Sequence, residues 1–168
     1  MKRVKLINDP AELVALFRAI DSEERRNVMT TLSEGWTMIS DLVAKHGEGA
    51  SGAITYFEKF KLIESRWEVN NDTGRPEKSY RTFYNAFQIS TSLTFDEAQE
   101  LLTVVLLSEK KFNNFESKIV KMIGSEGTFA NDISKSLNIS SLTLKGLVRR
   151  SVKFDFKGHN IVPLKEEE

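Results

Sequence analysis

Two stretches carry the residues whose types and spacing could do chemistry. In the first, Gly74-Arg75-Pro76-Glu77-Lys78-Ser79-Tyr80-Arg81 sets a turn glycine and a stiffening proline among three cations. A hairpin tip that lies along a phosphate backbone needs this mixture of fixed backbone and mobile positive charge. Tyr80 reads instead as a core plug. Upstream, Ala50, Ala53, Ile54, Phe57 and Phe60 recur at helical spacing. The opposite face then presents Ser51, Gly52, Thr55, Tyr56 and Lys59. Short polar and small residues let a helix approach base edges closely. Ser51 and Thr55 can reach bases or phosphates, and Tyr56 can donate to a phosphate or stack on a sugar. Arg66, Arg75, Lys78 and Arg81 complete the DNA-contacting set expected of this half.

The second stretch runs from Ser134 to Gly158 and holds six basic residues against the single acid Asp155, a net +5. Within it Ser141, Leu142, Lys145, Gly146 and Arg149 stand opposite Leu144, Leu147 and Val148. Lys145, Arg149, Arg150 and Lys153 form a candidate phosphate-contacting surface, with Lys157 nearby. A solvated basic face, or one docked on the acidic first helices, is an equal alternative. Between Gly35 and Thr82 seven basic residues meet seven acidic ones, so the first stretch is locally neutral.

Enzyme chemistry finds little to work with. His46 and His159 are far apart, and neither has a partner at metal-ligand spacing. No phosphate-cradling glycine loop or nucleophile motif occurs. No metal, cofactor or catalytic residue is expected. Cysteine is absent, which excludes disulfides and thiolate sites and agrees with a reducing compartment. The longest apolar run, Leu101 to Leu107 around Thr103, is far short of the roughly 20 residues of a membrane span. Met1-Lys2-Arg3-Val4-Lys5-Leu6-Ile7 starts like a leader but meets Asn8-Asp9-Pro10 too soon. The expectation is an intracellular, cytoplasmic protein. A net charge of zero argues against indiscriminate nucleic-acid binding but not against charge confined to one face.

The elements that must position these residues follow from local signals. Asp9 with Pro10 predicts a helix start, followed by Leu13, Leu16, Phe17 and Ile20 as an inward stripe. Asp21 or Ser22 caps a second helix with Val28, Met29 and Leu32 inside, ended by Gly35. A short strand at 36–39, a helix capped by Ser40 and stopped by Gly47, and a helix over 49–61 come next. The period then turns from helical to alternating at 62–69, and a return strand runs over 77–84. Thr94, with Glu97 as capping-box partner, opens a long helix that continues through Leu107 towards Lys111. A further helix carries Phe115, Ile119, Val120 and Ile123. The pattern then returns in compressed form, with helices over 129–137 and from Ser140 or Ser141 to Ser151, and a hairpin around Gly158-His159-Asn160. Glu166-Glu167-Glu168 reads as a frayed tail.

The predicted fold is mostly α with small β-hairpin wings (α+β), two winged helix-turn-helix units joined by a long helix. The expected divisions are 1–90, a linker and dimerisation segment over 91–123, and 124–165. The joining helix is apolar nearly all round, so Leu101, Leu102, Val105 and Leu106 are expected at a homodimer seam.

The segment from Ala50 to Ile63, with its Ala50-Ser51 start, resembles the recognition helix of ArsR-type winged-helix regulators. Gly74-Arg75-Pro76-x-Lys78-x-Tyr80 is similar to their wings. The resemblance covers Ala11 to Tyr84, about half the chain. It implies transcriptional regulation by a dimer on palindromic double-stranded DNA. Ala53 replaces a frequent histidine of the family and Lys61 its usual glycine, and metal-sensing cysteines are missing, so metal sensing does not carry over. The competing expectation is a tandem winged-helix interaction scaffold, since chromosome-condensation accessory proteins also carry a Gly-Arg-Pro segment, though in their second unit. Neither operator nor effector is legible.

Overall fold

The computed structural model describes residues 2–165; the tail at Glu166-Glu167-Glu168 lies outside them. The described residues form helices and three small sheets, an α+β fold. None of these helices is long and apolar enough to cross a membrane. The chain makes two compact units. One comprises residues up to Ile7 with Phe17–Ser90, the other Asn8–Leu16 with residues from Thr91 onward.

Strand β1 (Val4–Ile7) opens the first unit, and helix α1 (Glu12–Ala19) follows. The α1 start is as expected: Ala11 N–H donates to Asp9 Oδ1 at 3.0 Å. Its inward face is not. Ala11, Val14, Ala15 and Ala19 are buried, while Phe17 and Ile20 are exposed. Small residues also make a stripe, and a reading that follows the largest side chains rotates the helix by one position.

In the first unit, α2 (Glu23–Glu34) is capped by Ser22, whose hydroxyl accepts from Arg25 N–H at 3.2 Å. Then come β2 (Thr37–Met38), α3 (Ile39–His46), α4 (Gly49–Lys59), β3 (Ile63–Val69), β4 (Pro76–Thr82) and β5 (Ala86–Ile89). The antiparallel sheet has the order β2-β4-β3, and the β3–β4 hairpin runs in register from Ile63 opposite Thr82 to Val69 opposite Pro76. Tyr80 is buried in it, as predicted. β1 pairs in parallel with β5, from Val4 beside Ala86 to Ile7 beside Ile89. This pairing has no local signal, because four residues are too few to show a period and the partner lies about 80 positions on.

The junction of α4 with β3 shows why its sequence works. Leu62 N–H reaches back to Phe57 O at 2.9 Å and Lys61 N–H to Glu58 O at 3.0 Å, the paired bonds of a Schellman end. That geometry requires a left-handed residue, and Lys61 holds φ +53°. A side chain there costs about 1 kcal/mol. Lys61→Gly is therefore expected to stabilise the protein by roughly 0.5–1 kcal/mol in urea unfolding; a loss of stability would contradict it.

The second unit contains α5 (Phe95–Leu106), α6 (Glu109–Met122), β6 (Thr128–Phe129), α7 (Ala130–Leu137), α8 (Ser141–Arg150), β7 (Phe154–Lys157) and β8 (Asn160–Pro163). Its sheet order β6-β8-β7 repeats the first unit's strand–helix–helix–hairpin arrangement with shorter strands. The Thr94–Glu97 capping box is present, with bonds of 2.9 and 3.2 Å. The long helix, however, is two helices. Leu107 is extended, and Ser108 caps α6 by accepting from Lys111 N–H. Both helices contribute to this unit's core, where Leu101, Val104, Phe112 and Ile119 pack with Ile133, Leu144, Leu147, Val148, Phe154 and Ile161. α5 and α8 cross closely because position 146 is glycine: a Cβ there would sit 3.3 Å from Val104 methyls.

Candidate nucleic-acid interface

Helix α4 buries Ala50, Ala53, Ile54, Phe57 and, just past its end, Phe60. That burial turns Ser51, Gly52 and Thr55 outward, with Lys59 half-exposed. Thr55 Oγ1 donates to Ser51 O at 3.1 Å, so its methyl and a hydroxyl lone pair remain on the surface. Gly52 has open space where a Cβ would stand. Tyr56 departs from the expectation. It is 1% exposed, its ring 4.7 Å from that of Phe60 and 4.4 Å from the Arg25 guanidinium. The apolar stripe is wide enough to include position 56, so Tyr56 is a core residue and not a DNA contact.

The hairpin tip is built by Asn70. Its Oδ1 accepts from Asp72 N–H at 2.9 Å and Thr73 N–H at 3.2 Å. Asn70 N–H donates to Arg75 O, and Gly74 N–H donates to Asn70 O with Gly74 at φ +68°. Asn70 Nδ2 donates to Glu77 Oε2 at 2.7 Å, while Glu77 Oε1 takes Ser40 N–H at 2.6 Å in the first turn of α3. The Asn70 amide first, then the Ser40 hydroxyl and N–H, hold the Glu77 carboxyl below its ordinary range, outweighing burial. The tip is thus tied to the helical part of its own unit, and Arg75 projects exposed from a fixed backbone.

The other cations of the hairpin are engaged within the protein. The guanidiniums of Arg66 and Arg81 both lie over the Trp36 ring, 4.2 and 4.6 Å from its centroid. Arg66 also pairs with Glu68 at 2.6 Å, and Arg81 with Glu64 at 2.6 Å. Burial alone would raise the Glu64 carboxyl; the hydrogen bonds and charges of Arg81 and Arg3 outweigh it and lower the group. Lys78 lies 5.8 Å over Trp67. Both arginines keep exposed edges while resting on Trp36, a contact that sequence reasoning passes over.

In the second unit the basic set divides. Lys145 is exposed. Arg149 is half-buried, 4.0 Å from Asp9. Lys153 pairs with the buried Glu116 at 2.9 Å, and Ser151 donates to the same carboxylate at 2.6 Å. Arg150 departs from the expectation altogether: its side chain is 1% exposed, and it donates to Val104 O, Leu107 O and Glu109. The residue that looks most cationic in the sequence is a helix cap inside the protein.

The expected seam also divides. Leu101 is buried in its own unit's core, and Val105 is half-buried against it. Leu102 and Leu106 are exposed, Leu106 at 71%. Phe95, at 94%, stands on the same helix at positions that bring it into line with them.

No curated protein is similar enough to the chain to match it. The family model described as ArsR transcriptional regulator matches residues 7–165, so the likeness extends beyond the helix and hairpin at 50–84 through the second unit. With nearly the whole chain matched, the protein belongs to the ArsR transcriptional regulator family.

Proposed function

We propose that the protein is a cytoplasmic, sequence-specific reader of double-stranded DNA that acts as a homodimer, with winged helix-turn-helix geometry in both units. One observation carries the reading: the first half of α4 turns the small and short polar residues Ser51, Gly52 and Thr55 outward, ahead of Glu58 and Lys59, in the same unit as a hydrogen-bonded hairpin tip that ends in exposed Arg75. In this reading α4 enters a major groove with Ser51, Gly52 and Thr55 on base edges. Lys59, Arg75 and Lys78 take phosphates, and Trp36 orients Arg66 and Arg81 toward the same backbone.

Fluorescence anisotropy over a salt series tests it. Arg75→Ala is expected to weaken matched and random duplexes alike, by roughly tenfold at low salt, and to reduce the salt slope by about one. Thr55→Ala is expected to cost about 1 kcal/mol on a selected site and little on random DNA. Equal losses for Thr55→Ala on both duplexes would remove α4 from the groove.

The dimer seam follows from the exposed row Phe95, Leu102 and Leu106 on α5. Two copies related by a twofold axis can cover one another's row without opposing charge, since the row is uncharged. Leu106→Glu, at an exposed position, should convert a dimer to a monomer in sedimentation equilibrium without loss of helix content. A wild-type monomer at tens of micromolar would overturn the seam.

One observation favours the second reading, a protein-interaction scaffold. Trp67, 67% exposed, and Val69 form an apolar pair on β3. Absence of DNA binding at low salt would transfer the weight to that pair as a docking surface.

A further inference from the structure

Helix α6 carries four lysines and two glutamates, and both acids are turned to cations of their own unit. Glu116 is buried, where it accepts from Ser151 at 2.6 Å and pairs with Lys153 at 2.9 Å. Glu109 pairs with Arg150 at 2.9 Å. Phe112 and Ile119 set the rotation of the helix by entering the core of the second unit. The outward face is then Lys110, Asn114, Ser117 and Lys121, all exposed, at intervals of four, three and four residues. Lys111 and Lys118, also exposed, run beside them seven residues apart. Among the described residues, none of the four lysines has an ion-pair partner.

Helix stability does not account for this row. Lys121 suits the last turn, where the helix dipole favours a cation, but Lys110 and Lys111 stand in the first turn, where it disfavours one. Lys118 and Lys121 are like charges three residues apart, with no acid between them to relieve the repulsion. A face built for solubility alone mixes the signs. A row of one sign on a rigid helix, interleaved with Asn114 and Ser117 as neutral hydrogen-bond donors, suits an anion that is itself repetitive. From Lys110 to Lys121 the row spans about 16 Å at 1.5 Å per residue. Phosphates of one B-DNA strand follow one another at about 3.4 Å along the axis, so the row faces roughly five of them. A lipid surface fits less well. Amphipathic helices bind bilayers by burying an apolar face, and the apolar face of α6 is already in the core. The row also answers a deficit. The chain has no net charge, and Arg66 and Arg81 of the hairpin are ion-paired within the first unit, so the hairpin by itself offers few phosphate contacts.

We propose that α6 is a second, sequence-independent contact for duplex DNA, in which Lys110, Lys111, Lys118 and Lys121 take phosphates and Asn114 and Ser117 bond the same backbone. This rests on the duplex-DNA reading above. It gives the second unit a share of the affinity that does not depend on sequence and leaves selectivity to α4.

The test is fluorescence anisotropy of the full-length chain with a random duplex of about 30 base pairs, between about 50 and 200 mM salt. Lys110→Gln with Lys121→Gln keeps good helix formers. The pair should reduce the salt slope by roughly two and weaken random and selected duplexes alike, by at least about fivefold at low salt. Adding Lys111→Gln and Lys118→Gln should take the slope loss to roughly three to four. Lys2→Gln with Lys135→Gln removes as much charge as the first pair at exposed lysines outside the row, and should change affinity by less than about twofold. Urea midpoints of the α6 variants should not fall below wild type. The proposal is overturned by an unchanged slope in the fourfold variant while Arg75→Ala still lowers it, or by equal losses in the control pair. Lysine-dependent capture on phosphatidylserine vesicles, with duplex binding unchanged, would also overturn it. A wild-type chain that binds no duplex at low salt overturns the DNA reading together with it. Binding that depends on the α6 lysines and is indifferent to Arg75→Ala on every duplex would uphold the row and remove the hairpin tip from DNA.

Discussion

Arg150→Ala is expected to destabilise the second unit by about 3–5 kcal/mol, from two stranded helix-end carbonyls and the void left by a buried side chain. Helix α5 ends at Leu106, and its final carbonyls have no partner within the helix. Arg150 Nη1 supplies one, donating to Val104 O at 2.9 Å and Leu107 O at 2.8 Å. Nη2 donates to Glu109 Oε1 at 2.9 Å, and the guanidinium lies 4.4 Å from the Phe112 ring. One planar fork therefore closes α5 and holds the first turn of α6. Truncation strands two carbonyls, at about 1–3 kcal/mol each, and leaves a void over Phe112. Arg150→Lys should recover less than half of the loss, because an ammonium cannot reproduce the fork's fixed, spread donors. Urea unfolding monitored by circular dichroism gives the answer; a cost below about 1 kcal/mol would mean that water or a relaxed helix end replaces the arginine.

The neighbouring Arg149 and Arg150 show what the sequence can convey. Their side-chain chemistry is the same, but the helix turns about 100° between them. Position 150 falls three after Leu147, on the buried side; position 149 falls on the face with Lys145. The periodicity places Arg150 inside, while its charge argues for the surface. Tyr56 is the same case, a polar-tipped residue inside the apolar stripe of α4. Local stereochemistry was legible wherever one residue and its near neighbours suffice: the Ser22 and Thr94 caps, the Gly74 turn, the buried Tyr80, and the alternation that opens β3. The α5–α6 break was written in Ser108 but masked by the apolar run before it, since a capping side chain is worth only about 1 kcal/mol against a run that also suits helix. The β1–β5 pairing and the contacts of Arg66 and Arg81 with Trp36 depend on residues far apart in the chain, and no local pattern encodes them.

The interface itself is tested most severely by Gly52→Glu, expected to reduce DNA affinity at least about 100-fold while leaving the fold intact. Glycine in the interior of a helix costs about 1 kcal/mol relative to alanine, so its presence calls for a reason. Packing provides none, because a Cβ at 52 meets nothing within 4 Å. This separates it from Gly146, where Val104 presses close. Nor does the backbone require glycine, since φ at 52 is not positive. What remains is close approach of something outside the chain. If that is a groove floor, a glutamate between Ser51 and Thr55 adds both bulk and a charge facing phosphates and acceptor edges, and both terms oppose binding. Gly52→Ala separates them: it should raise stability by up to about 1 kcal/mol and weaken binding far less than glutamate does. Thermal unfolding alongside anisotropy with genomic-selected duplexes measures both effects. Unchanged affinity in Gly52→Glu would show that α4 does not enter a groove, whatever the rest of the unit does.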